Sequence, residues 1–392
     1  MKERGRQLTL QERWMLDIES YKKGAKVLTA SPQCMSCIHF VQSDAWHCKK
    51  YVNEEKPHDT RFIEKECPRY EDREPISVKV SDRTESMFYG GLFGFCVGDM
   101  LGVPVEFSAR SERKKDPVRE MRAYGTYHQH FGTWSDDTSL TLCLIDAVNR
   151  GYSIEKVADN FVAYYEKGQF TPHGEVFDIG NSTKTAIEKM SNGANPVECG
   201  GVHDSDNGNG SLMRILPLVF YGQRTEEDAL IKMIEDISSL THRHKRSKLA
   251  CIIYVIFAMQ LLSGADKKQA LDRAVQFVDD QCSTAYIDEL GNYARILKEE
   301  IISLPEDVIR STGYVVDTLE AVIWCFFRTE SYKEAVLQAI NLGGDTDTIA
   351  AIVGGIAGIY YGFQSIPNQW VQSLAKKTEL YQMFEQFAKI VL

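Results

Sequence analysis

The chain has 392 residues, 43% of them apolar and 26% charged. That is the make-up of a soluble globular protein with room for one large domain and an appendage, or for two ordinary domains. Its formal net charge of −10 argues against a nucleic-acid partner, since phosphate binding needs a basic field. The opening "MKERGRQLTLQERW" lacks the apolar core of a secretory signal. The runs "ACIIYVIFAMQLL" and "IAAIVGGIAGIYYG" fall short of the roughly 18–20 residues of a bilayer span. The expectation is no membrane partner and a cytoplasmic location.

Residues 1–75 read as an N-terminal cysteine-rich segment. An amphipathic helix is expected around Trp14, Met15, Leu16 and Ile18. Cys34, Cys37, Cys48 and Cys67 follow, with "CMSC" spaced like a metal knuckle. The remaining spacing departs from a paired ribbon, and His39, His47 and His58 stand nearby as substitute ligands. Tetrahedral Zn²⁺ is the first expectation, an iron–sulfur cluster the second and unligated thiols the third. A segment this short has little core of its own and benefits from a metal. The other six cysteines, Cys96, Cys143, Cys199, Cys251, Cys282 and Cys325, sit mostly in apolar settings as small hydrophobes. That is a reduced-compartment pattern.

Residues 76–86 read as a linker, polar apart from "ISVKV", whose alternation makes it the best strand candidate. From residue 87 to 392 the pattern is helical, with apolar positions at helical spacing broken by Gly, Asn, Asp and Pro. The expected fold is therefore all-α, a compact multi-helix bundle. Its functional groups would sit on loops and helix N-termini at one end.

In "GGLFGFCVGDMLGVPVEF", Gly91, Gly94 and Gly98 fall at a helical spacing that permits close helix packing, and Asp99 and Glu106 flank a Gly/Pro turn. Asp99 reads either as a turn former or as a site residue, and Glu106 either as a surface charge or as a site residue. "WSDDTSL" sets Ser135, Asp136 and Asp137 ahead of an apolar helix, and "NLGGDTDTIAAIVGG" repeats the device with Asp345, Asp347 and Thr348. Asp and Ser are ordinary N-cap residues, yet each cluster holds more carboxylates than a cap can use. Two such loops face to face would gather hard oxygen ligands of the kind that suit Mg²⁺ or Mn²⁺. "DSDNGNGSLMRILPL" places Asn209, Gly210 and Ser211 before an apolar helix. Free backbone N–H groups there would make an anion site fit for a diphosphate; a plain connection is the alternative. No "GK[ST]" follows, so this is not a Walker loop.

Taken together, "GDMLGVPVEF", "WSDDTSL", "FDIGNST", "GNGSLMRILPL", "THRHKRS" and "NLGGDTDTIAAIVGGIAGIYYG" resemble, in order, the ADP-ribosylglycohydrolase family, which includes the dinitrogenase reductase-activating glycohydrolases. The resemblance spans residues 87–362 and implies an all-α bundle with two divalent cations, Mg²⁺ or Mn²⁺, at one end. It implies that Ser135, Asp136, Asp137, Asp345, Asp347 and Thr348 bind the metals, Ser135 standing where the family often has Thr. It implies catalytic work among Glu106, Asp178 and Asp137, and substrate contacts from Asp99, Asn181, Asn209, Gly210, Ser211, Met213 and His242. The loop from Asn209 to Met213 would cradle the diphosphate. Asp178 and Asn181 match a segment that faces the scissile N-glycosidic bond and guanidinium in arginine-type members. For His242 and His244 the alternative is a helix-dipole partner.

The activity implied by the resemblance is metal-dependent hydrolysis of the bond linking ADP-ribose to a target, ADP-ribosyl-arginine on protein foremost, with release of ADP-ribose. The alternatives are a serine, nucleic-acid-base or small-molecule linkage, or a catalytically silent ADP-ribose-binding or immunity protein. The partner would be an ADP-ribosylated protein or another ADP-ribosylated target. The cysteine-rich segment would recognise that target, or dock on the cleft or on a cognate ADP-ribosylating enzyme or toxin.

Overall fold

The computed structural model describes residues 75–130 and 132–392. The helix expected around Trp14 and the metal site expected at Cys34, Cys37, Cys48 and Cys67 lie outside the described residues. Eleven helices of ten residues or more follow in chain order: α1 Arg83–Gly102, α2 Asp136–Asn149, α3 Ile154–Lys167, α4 Asn181–Ser191, α5 Glu227–Ser239, α6 Lys245–Leu262, α7 Lys267–Phe277, α8 Val315–Phe327, α9 Tyr332–Asn341, α10 Thr346–Tyr361 and α11 Lys377–Val391. Shorter helical turns and loops join them. No strand occurs among the described residues, as the all-α expectation requires.

The helices α1 and α10 form the spine. Gly90, Gly94, Gly98 and Gly102 lie four residues apart on α1 and meet Gly358, Gly354, Ala350 and Asp347 of α10 in antiparallel order. A Cβ on Gly94 would lie 2.4 Å from the Gly354 carbonyl oxygen, and one on Gly98 only 2.0 Å from that of Ala350. Backbones that approach this closely leave no room for any larger residue. The expected small-residue stripe is therefore present, but its register runs through Gly90 and Gly102, while Gly91 faces Phe220 and Ile359. Antiparallel contact brings the C-terminal end of α1 beside the N-terminal end of α10. Thr346 Oγ1 closes that join by donating to the Gly102 carbonyl at 2.8 Å.

The segment Arg83–Val105 is long and apolar enough to cross a bilayer, unlike the two runs singled out from the sequence, but it is wholly buried inside the fold. Helices α8 and α9 pack on α10, and α2 packs on α3 and α11. At the far end of the spine, Phe88 meets Phe220 edge-on with ring centres 5.1 Å apart. The six cysteines from Cys96 onward are free thiols buried in this interior, as small hydrophobes would be.

The stretch Ile76–Val80 is not a strand. Ile76, Val78 and Val80 pack on the core while the residues between them are exposed, so the alternation is real. What holds the backbone is a side chain: the Gln372 amide accepts from Ile76 N–H at 2.9 Å and donates to Ile76 C=O at 2.8 Å. Helix α1 begins at Arg83, inside the stretch read as a linker, and Asp82 caps it by accepting from Glu85 N–H at 2.9 Å.

Candidate active site

Three chain segments converge where α1 ends and α2 and α10 begin. Ser135 caps α2, its Oγ accepting from the Asp137 N–H at 3.2 Å. Asp345 precedes α10 but makes no side-chain cap. Gly343 and Gly344, at φ 72° and 74°, turn the chain so that Asp345 N–H donates to the Ser311 carbonyl at 2.9 Å. A left-handed pair of this kind is what glycine permits. The carboxylate of Asp345 is thereby left for another purpose.

The two loops meet through Asp137. Its Oδ2 accepts from Ser135 Oγ at 3.0 Å and from Thr348 Oγ1 at 3.2 Å. Glu106, Asp345 and Asp347 each bring a carboxylate oxygen within 4.8 Å of the others. Asp345 Oδ2 accepts from the Asn209 amide at 2.7 Å, and Asp347 Oδ1 from Thr348 N–H at 2.9 Å. The remaining oxygens, Glu106 Oε2, Asp137 Oδ1, Asp345 Oδ1 and Asp347 Oδ2, are buried with no hydrogen-bond partner. Interiors rarely leave acceptors in that condition, because each costs about 1–3 kcal/mol or more when charged.

Asp178 enters from the loop before α4 with φ at 57° and accepts from the Tyr127 hydroxyl. Its carboxyl also lies within hydrogen-bonding reach of those of Glu106 and Asp347. Burial, joined by the charges of neighbouring carboxylates, holds Asp136, Asp137 and Asp347 well above the usual carboxylate range. Burial likewise raises Asp345 and Asp178. Glu106 is pushed up to about 10, by burial first and then by Asp178 and Asp345. Neighbouring carboxylates, and no lysine or arginine, are the charges that chiefly shift Glu106, Asp137, Asp345 and Asp347, while Asp136 also feels the buried Arg214. Buried hard oxygens without hydrogen-bond partners, with one fully buried arginine, Arg214, near Asp136, fit a divalent cation.

Other residues singled out from the sequence support this face from behind. Asp99, expected to touch substrate, is fully buried, and its two oxygens accept from Ser135 N–H at 2.9 Å and Thr138 N–H at 3.0 Å. It supplies partners for the N–H groups that the start of α2 leaves open, which makes it an anchor of that loop. Burial raises its carboxyl to about 6. Ser211 is fully buried and accepts from Ser238 Oγ at 3.0 Å; Met213 is buried, its N–H donating to Asn209 C=O at 3.0 Å.

The Gly210 carbonyl accepts from Arg214, which is itself fully buried and also donates to Thr241 Oγ1 at 2.7 Å. His242 lies against Gly208 and Gly210, with its Nδ1 2.8 Å from Thr241 Oγ1. Burial and then Arg214 hold its pKa down to about 3, so it is neutral. Ser211, Met213 and His242 thus brace the loop rather than join the carboxylates. Asn181 is exposed and lines a separate recess of about 370 Å³ with Ser182, Lys189, His203 and Arg243.

Two parts of the site escaped sequence reading. Tyr127 belongs to a turn with positive φ at Tyr124, Gly125 and His128, and "YGTYHQH" carries no recognisable spacing. Gly313 lies over Asp345, where an added Cβ would stand 3.3 Å from Oδ2; the glycine in "STGY" was the available hint.

Residues 80–391 match the family model described as ADP-ribosylglycohydrolase. The chain is 31% identical over 299 residues to ADP-ribosylarginine hydrolase Tri1 of Pseudomonas putida (strain GB-1), covering 76% of each. It is 26% identical over 295 residues to the ADP-ribosyl-dinitrogen reductase glycohydrolase of Rhodospirillum rubrum, covering 74% of this chain and 90% of that one. Its fold matches a solved ADP-ribosylglycohydrolase-related protein complex with a TM-score of 0.67 and 27% identity, over 80% of this chain and 100% of that one. The family model spans every described residue that builds the acidic mouth, and the chain belongs to the ADP-ribosylglycohydrolase family of ADP-ribose-releasing enzymes.

Proposed function

We propose that this enzyme hydrolyses the N-glycosidic bond between ADP-ribose and an arginine side chain of a modified protein. One observation carries the reading: buried, partnerless carboxylate oxygens from two helix starts gather with Glu106, and Asp178 lies within reach of them. The arginine linkage is supported by the 31% identity to a protein named ADP-ribosylarginine hydrolase.

Ser135, Asp136, Asp137, Asp345, Asp347 and Thr348 would hold two Mg²⁺ or Mn²⁺ ions, to which hard oxygen donors are suited. Bound there, the ions would supply Lewis acidity and fixed positive charge beside the ribose hydroxyls. The chain's own residues do the rest. Asp137 keeps one oxygen on the hydroxyls of Ser135 and Thr348 and has the other without a partner. Asn209 fixes the direction of Asp345. The loop from Asn209 to Met213, braced by Arg214 and His242, would hold the diphosphate.

Cleavage of a ribosyl C–N bond develops oxocarbenium character on the sugar, and two carboxyls flanking the bond suit that chemistry. Of Asp178 and Glu106, one would take a proton from water while the other delivers a proton to the leaving nitrogen. Tyr127 acts as a positioning residue for Asp178. The test is direct: with Mg²⁺ or Mn²⁺ the protein should release ADP-ribose from ADP-ribosyl-arginine protein. No release with either ion, or undiminished release by a variant carrying Asp345→Ala and Asp347→Ala, would overturn the reading.

A further inference from the structure

Phe107 is the most exposed large apolar side chain among the described residues, 68% accessible, although it directly follows the buried Glu106. Its φ is 59°, in the left-handed region that a bulky residue avoids at a cost of about 1–2 kcal/mol. Two backbone bonds keep it there. Phe107 N–H donates to the Gly344 carbonyl at 2.7 Å, and Gly344 N–H donates to the Ser108 carbonyl at 2.9 Å. A strained backbone thus holds an apolar ring out in solvent at the rim of the acidic mouth.

The ring does not stand alone. Tyr127 lies beside it with ring centres 6.4 Å apart, and Phe177 lies 5.3 Å beyond Tyr127. Phe107 follows Glu106 in the chain, Phe177 precedes Asp178, and the Tyr127 hydroxyl donates to Asp178. Tyr127 therefore touches one of the two carboxyls assigned above to the scissile bond, and the rings of Phe107 and Phe177 flank Tyr127. Glu106 Oε2, buried and without a partner, is an acceptor open to a donor.

Ring faces beside open carboxyl acceptors match a planar cation. The faces attract its charge, and its in-plane N–H groups supply donors to the carboxyls. A neutral aromatic ligand would use the rings and waste the acceptors. A compact ammonium would also be drawn to the faces, but it lacks the plane that stacks on a ring while donating sideways to two carboxyls.

We propose that Phe107, Tyr127 and Phe177 form a platform that receives the planar cationic leaving group, the guanidinium of an arginine-linked substrate, and that this platform sets linkage selectivity. The proposal rests on the arginine reading of the same site. Phe107→Leu keeps the apolar bulk and removes the ring, and Phe107→Trp offers a larger one.

In the Mn²⁺-loaded enzyme, Phe107→Leu should lower kcat/KM for ADP-ribosyl-agmatine by about 2- to 30-fold, chiefly through KM. Inhibition by free ADP-ribose, which lacks the guanidinium, should move much less. Phe107→Trp should match or exceed the parent, and Phe177→Leu should follow Phe107→Leu, which guards against a defect confined to the strained residue. Equal weakening of ADP-ribose inhibition overturns the platform, as does unchanged kcat/KM in both leucine variants. If the loaded parent enzyme cleaves no arginine-linked ADP-ribose, the activity reading falls by itself. Calorimetry with agmatine in the presence of ADP-ribose then judges the platform: binding that Phe107→Leu loses supports it, and absence of binding overturns it.

Discussion

Among the described residues, two clusters gather three potential metal ligands within 4.8 Å of one another, Glu106 with Asp345 and Asp347, and Asp204 with His244 and Glu289. In the second, Arg246 donates to Glu289 at 2.7 Å and to Asp204 at 3.0 Å. His244 Nδ1 accepts from Arg246 N–H at 3.2 Å as the cap of α6, which leaves Nε2 facing the carboxylates. A cation and its donors have already answered that cluster. In the first, no lysine or arginine ranks among the groups acting on the carboxyls, and their outer oxygens have no partner. Crowded acids are therefore a poor mark of a metal site. The missing counter-charge is the informative part.

The largest expected effect tests that contrast at its centre. Replacing Asp345 and Asp347 together by Asn should cut turnover on the order of 10³-fold or more, beyond the 10- to 100-fold typical of losing an outer ligand partner. Metal-free, the same variant should melt higher than the metal-free parent, because two unbalanced buried acids are gone. A lower melting point there would break the comparison. Glu289→Gln should do the opposite: it removes a charged hydrogen-bond acceptor and costs about 1–3 kcal/mol of stability, while the rise in Tm on adding Mn²⁺ stays intact. Loss of that Mn²⁺ response would show that the second cluster also serves the metal.

A pair of tyrosines gives a finer contrast. Tyr127→Phe should lower kcat/KM roughly tenfold by freeing Asp178, the equivalent of about 1.4 kcal/mol. Tyr293→Phe, which removes a 2.7 Å bond to Arg246 C=O in the other cluster, should register in Tm alone. The smallest effect concerns His242, whose neighbour is a cation. Its folded pKa of about 3 lies below its ordinary value of 6.5, so between those values the unfolded chain binds more protons. Stability contributed by the neutral ring is present above pH 6.5 and drains as pH falls toward 3, the loss reaching about 1.4 kcal/mol by pH 5.5. A His242→Gln variant with the same acid-side slope in Tm as the parent would remove that account.

Much of this was legible in the sequence, for identifiable reasons. Asp136, Asp137, Asp345 and Asp347 stood out because a cap needs one acceptor and each loop supplies two. The helical spacing of apolar residues gave the bundle, and "NGNGS" marked a loop, although the helix expected after it is only the three-residue turn Leu212–Arg214 and the short helix Pro217–Tyr221. What resisted reading depends on contacts far apart in the chain. Asp99 looked like a site residue, yet only folding shows it reaching the backbone of Ser135 and Thr138. Asn209 was read for a diphosphate, and the structure adds its bond to Asp345, 136 residues away. "ISVKV" alternates because one side of it rests on the core, and alternation alone cannot say whether a second strand lies alongside. Gly90 and Gly102 were passed over because the pairing register of two helices is a property of both.

The seam between α1 and α10 has one more consequence. At Gly94 and Gly98 the contact is backbone against backbone, so no rotamer stands between the helices to swell or shrink for a different substrate. The gauge of the acidic mouth is set rigidly, much as two rails are held by one sleeper. Sequence change can retune what the loops carry, such as the rings at Phe107 and Phe177, without altering that gauge. Divergence in target choice should therefore accumulate on the rim, while the spacing of Asp347 from the end of α1 passes unchanged from one specificity to the next.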